Sequence, residues 1–90
     1  MKRYRIIYEG QVQGVGMRGT LFMLARYYKV TGYARNMANG NVECEIQGSE
    51  DACKAFINAS LERDSWIVIY DYVIKEKEVV LEEKAFTIKY

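Results

Sequence analysis

Ninety residues, 50% of them apolar and 28% charged, suit one domain with a single core and exclude a disordered or fibrous chain. Thirteen Lys and Arg against twelve Asp and Glu leave a net charge of +1, too little to draw the whole molecule onto nucleic acid or an anionic membrane. The lack of histidine removes Ser-His-Asp and Cys-His nucleophile systems and the commonest metal ligand, and the pair Cys44 and Cys53 does not make a metal site.

In chain order, R-Y-R-I-I-Y-E at 3–9 sets Tyr4, Ile6 and Tyr8 on one face and Arg3, Arg5 and Glu9 on the other, the period of a half-buried strand. From Arg18 to Tyr28, Leu21, Leu24, Ala25 and Tyr28 repeat at helical spacing, with Phe22 and Met23 at the border. Gly32 offers that helix a stop. Segments 33–37 and 41–47 flank Ala38-Asn39-Gly40, and Asn-Gly predicts a tight type I′ hairpin. In its second arm Val42, Cys44 and Ile46 point inward while Glu43, Glu45 and Gln47 point outward.

Ser49 followed by Glu50 and Asp51 gives an N-cap and two carboxylates for the positive end of a second helix. That helix buries Ala52, Phe56 and Ala59, with Cys53, Ile57 and Ser60 alongside, and ends near Arg63. W-I-V-I-Y-D-Y-V-I at 66–74 and F-T-I-K-Y at 86–90 read as strands, and the charges at 75–78 and 82–84 as solvated faces.

The order β-α-β-β-α-β plus a further strand predicts an α+β, ferredoxin-like sandwich: an antiparallel sheet with two helices on one face, as a single domain over residues 1–90. No apolar run reaches the roughly 18–20 residues of a membrane span, and M-K-R-Y-R-I-I-Y lacks the features of a signal peptide. A cytoplasmic protein with reduced, buried cysteines is expected.

The distinctive stretch is E-G-Q-V-Q-G-V-G-M-R-G-T at 9–20. Its G-V-G-M-R-G matches G-x-G-x-x-G, but the hairpin that follows is not the parallel βαβ unit of a dinucleotide site. Two readings remain. The glycines either permit a sharp strand-to-helix turn or form a nest of N–H groups for an anion, with Arg18 adding its planar fork of donors. Arg18 at the positive end of a helix favours the anion.

V-Q-G-V-G-M-R at 12–18 resembles the V-Q-G-V-x-F-R signature of the acylphosphatase family, and T-G-Y-A-R-N at 31–36 with N-G-N-V-E at 39–43 resembles that family's second motif. The resemblance covers essentially the whole chain. It implies that backbone N–H groups of Gln13, Gly14, Val15, Gly16, Met17 and Arg18 cradle a phosphoryl group, that Arg18 neutralises it, and that Asn36 holds the attacking water. It also implies cleavage of small-molecule acyl phosphates to carboxylate and phosphate by a small monomer, with no metal, cofactor, nucleic acid or membrane. Met17 stands where the family usually has phenylalanine and Ala34 where it has valine, which motivates an alternative, a catalytically weak phosphate- or acyl-phosphate-binding module. Eight tyrosines invite base stacking, yet they form no RNP-like cluster.

Overall fold

The computed structural model describes residues 1–62 and 66–90. Strand β1 (Lys2–Gln11) leads through the glycine loop into helix α1 (Met17–Tyr28), then β2 (Thr31–Asn36), β3 (Val42–Gly48), helix α2 (Glu50–Ser60), β4 (Val68–Lys77) and β5 (Phe86–Lys89). The sheet runs β4-β1-β3-β2-β5. Four strands form the antiparallel ferredoxin-like core of the sheet, and β5 extends it by pairing parallel to β2. Because β1 and β2 are both antiparallel to β3, their C-terminal ends emerge at one end of the sheet, and β5 ends there too.

The helices bury Leu21, Ala25, Cys53 and Phe56 against Ile6, Tyr8, Cys44 and Ile46 of the sheet. Tyr8 is fully buried, and its hydroxyl donates to Ser60 Oγ at 2.7 Å, so the one polar atom of a large core ring is matched. Both cysteines are free and buried. Ser49 caps α2 as predicted, its Oγ accepting from Ala52 N at 3.1 Å. This helix ends at Ser60; Arg63 lies outside the described residues.

Three expectations are corrected. Helix α1 stops at Tyr28 because Lys29 takes the left-handed conformation, its N–H bonding Ala25 O; Gly32 instead lies inside β2, where the carbonyl of Glu45 leaves no room for a Cβ. The β2–β3 connection is a longer hairpin than type I′, closed by Met37 N–H to Asn41 O and Gly40 N–H to Met37 O. Only Gly40 has positive φ there, as in a type I turn with a bulge.

The third correction concerns the sheet face away from the helices, which is not simply solvated. Arg3, Glu43 and Gln47 are buried there. Arg3 ion-pairs with Glu45 at 2.7 Å and Glu83 at 2.9 Å, while Glu43 takes Arg5, Arg35 and the Tyr33 hydroxyl. Gln47 bonds both the N–H and the carbonyl of Val80, and Glu83 accepts from Thr31. The connection from β4 to β5 is thereby strapped across this face, and Glu83, read as solvated, is a structural carboxylate. Residues 75–78 are exposed as predicted.

Candidate active site

The strand-to-helix loop owes its shape to two left-handed residues, Gly14 at φ 74° and Gly16 at φ 84°. Gly16 is the N-cap of α1 and has no side chain to satisfy the first turn. No acidic residue occupies that turn, and among the described residues no loop, turn or cap hydrogen bond uses an N–H from residues 14–19. The free donors and the positive end of the helix therefore face one opening, which suits an anion. Met17 begins the helix and is buried, so the residue that replaces an aromatic ring anchors the loop in the core.

A cavity of about 240 Å³ lies over this loop, lined by Val12, Gly14, Gly16, Met17, Arg18 and Asn36, with Ile88 and Tyr90 on its β5 side. Arg18 and Asn36 thus open onto one space, although they lie in different elements. Arg18 is held from behind. Its guanidinium donates to Lys89 O at 3.2 Å and stands 4.9 Å from the centre of the Tyr90 ring. Asn36, at the end of β2, makes no side-chain hydrogen bond to any described residue, leaving its amide for a ligand or water. Arg35 points the other way, to Glu43.

Gln13 and Val15 do not line the cavity. The Gln13 side chain turns to the hairpin instead, donating to Met37 O at 2.7 Å and Asn41 O at 2.8 Å. This link between the loop and the segment just after Asn36 was not legible in sequence, because the partners are backbone carbonyls whose position depends on the hairpin. Val15 packs against the core. The cavity lining contains no carboxylate or thiol side chain, and among the described residues no cluster of three or more Cys, Asp and Glu could hold a metal.

The acylphosphatase family model matches residues 4–88. An acylphosphatase of Clostridium beijerinckii is 37% identical over 90 residues, covering 100% of both chains. One from Bacillus licheniformis is 36% identical over the same span, again covering 100% of both. The crystal structure of acylphosphatase from Bacillus subtilis superposes with a TM-score of 0.94 at 33% identity, covering 100% of each chain. By the match of sequence, fold and length together, this chain belongs to the acylphosphatase family and is an enzyme of that kind.

Proposed function

We propose that the cavity over the glycine loop carries out acyl-phosphate hydrolysis, with Arg18 and Asn36 as its catalytic pair. The N–H groups of the cavity-lining loop residues Gly14, Gly16, Met17 and Arg18 receive the phosphoryl oxygens, and the guanidinium of Arg18 balances their charge. Asn36 orients a water against phosphorus, opposite the leaving carboxylate. Its amide has no useful pKa, so it positions rather than deprotonates. As the water oxygen bonds to phosphorus, the P–O bond to the acyl group breaks and the carboxylate leaves with the electron pair. The water's proton passes to a phosphoryl oxygen, since the side chains of the lining offer no base.

Little more is needed. A carboxylate is a good leaving group, and phosphoryl transfer asks chiefly for in-line positioning and stabilisation of charge. The supporting observation is the shared cavity of Arg18, Asn36 and the two left-handed glycines. No helix among the described residues is long and apolar enough to cross a membrane, and we assign the enzyme, a single domain over residues 1–90, to the cytoplasm without a cofactor.

The test is hydrolysis of benzoyl phosphate or acetyl phosphate with a metal chelator present. Arg18→Ala is expected to lose about 3–4 kcal/mol of transition-state stabilisation, by analogy with removal of a key oxyanion donor. Asn36→Ala is expected to slow turnover while inorganic phosphate still inhibits. Normal rates in either variant would reject the role given to that residue.

A further inference from the structure

We infer that β4 is a self-complementary edge through which two copies of this chain pair antiparallel about Val73, joining their sheets. Among the described residues the ten-residue strand pairs only with β1, and it leaves Tyr72, Val73 and Ile74 at 46%, 57% and 39% exposure. Between Asp71 and Lys75, and clear of the register shift opposite Glu9 and Gly10, this short apolar centre presents unpaired backbone groups, a template for another strand.

The backbone fixes which groups face outward. Gly32 N–H bonds Ala85 O, so Gly32 turns its backbone to β5; alternation across β2, β3 and β1 then commits Val73 and Lys75 to β1 and turns Tyr72 and Ile74 outward. An independent contact agrees: Tyr72 N–H has no strand partner and is sealed by the Asp71 carboxylate at 2.8 Å. Antiparallel self-pairing must match outward residues with outward residues, which allows two-fold centres at Tyr72, Val73 or Ile74.

Charge selects among them. Within one copy, Lys75 lies opposite Arg5, and Asp71 lies opposite Glu9, both like-charge pairs. Centring on Val73 sets Lys75 against the partner's Asp71 twice over, relieving both, and pairs Tyr72 with the partner's Ile74. Centring on Tyr72 sets Lys75 against an apolar residue; centring on Ile74 leaves it against Val73. Centring on Ile74 also joins Asp71 to the partner's Lys77, but it sets Val73 against Lys75 and Tyr72 against Glu76; the Val73 register joins opposite charges while pairing Tyr72, Val73 and Ile74 with one another. On forming it, Asp71 exchanges its own Tyr72 N–H for the partner's Lys75, and Tyr72 N–H passes to the partner's Ile74 carbonyl. A single strand pair buries little area, so the association is weak and the monomer dominates in dilute enzyme.

Sedimentation equilibrium from micromolar to millimolar chain, with amide hydrogen exchange at both ends of the range, tests this. The expected result is a monomer–dimer equilibrium in which Tyr72 and Ile74 N–H become protected as concentration rises. Val73→Lys sets two cations on the axis and is expected to give monomer throughout. Asp71→Lys weakens association, and Asp71→Lys with Lys75→Asp restores it. Wild type that stays monomeric at millimolar concentration would overturn the inference. So would a dimer that survives Val73→Lys, or a charge swap without rescue.

Discussion

The amide of Gln13 donates to the carbonyl of Met37 and, with its second hydrogen, to that of Asn41, tying the glycine loop to the hairpin that follows Asn36. The two halves of the cavity are otherwise separated by β3, which lies between β1 and β2. Gln13→Ala is therefore expected to cost about 1–2 kcal/mol in folding and a comparable amount in turnover. Denaturant unfolding beside steady-state kinetics checks this, with kcat falling about tenfold at nearly unchanged phosphate inhibition if the loop keeps its own shape. An equal drop in phosphate affinity would assign Gln13 to shaping the loop alone.

Gly16→Ala isolates the backbone. A Cβ there meets nothing within 4 Å, so the substitution acts through the positive φ and not through crowding. The left-handed conformation costs an alanine about 1–2 kcal/mol. Weaker inhibition by inorganic phosphate is expected as the loop relaxes away from its donor geometry, with a fall in thermal midpoint of about 4–8 °C for each kcal/mol of that cost. Calorimetry on the variant measures it.

Glu43 sits under the sheet between Arg5 and Arg35, with the Tyr33 hydroxyl completing its shell. Burial pushes its carboxyl up, but the hydrogen bonds from Arg35, Arg5 and Tyr33 outweigh this and hold it below the ordinary 4.5. A depressed carboxyl stabilises the fold fully above its unfolded value and loses that contribution as pH falls through the lowered one. Glu43→Gln is expected to cost about 2 kcal/mol at neutral pH, since the two arginines that remain are partly solvated. Unfolding curves for wild type and variant should begin to converge as pH falls below the ordinary 4.5 and meet only once it has passed Glu43's lowered value.

Gln47 grips Val80 by both backbone groups and also accepts from Arg3 at 3.1 Å. Gln47→Ala should release the strap that precedes β5. Faster exchange at the Val80 N–H and a loss of about 2 kcal/mol are expected, measurable by native-state hydrogen exchange.

Much of this was legible in the residues. Period-two and helical spacing give the strands and helices because burial enforces them, and Ser49 announces its helix by a local hydrogen bond. The turn after Asn36 was read from Asn39-Gly40, but its form follows from pairing of Met37 with Asn41, a tertiary matter. Lys29 ends α1 in a conformation that lysine does not advertise. The buried charges were hidden for a similar reason: Arg3, Glu43 and Glu83 carry an outward-facing pattern, and only the strap makes that face an interior. In the cavity, Arg18 and Asn36 were evident from their motifs, whereas the side-chain role of Gln13 was not.

The tether from Arg18 to Lys89 has one more consequence. The cation that faces the cavity is steadied by a strand that pairs with β2 from far along the chain, after every other element is in place in sequence order. A polypeptide whose helices and first four strands have assembled already has most of its circular-dichroism signal, but its guanidinium swings loose. In a refolding reaction where β5 docks after the other strands, regain of turnover lags regain of ellipticity, and comparing the two traces reads out when that strand arrives.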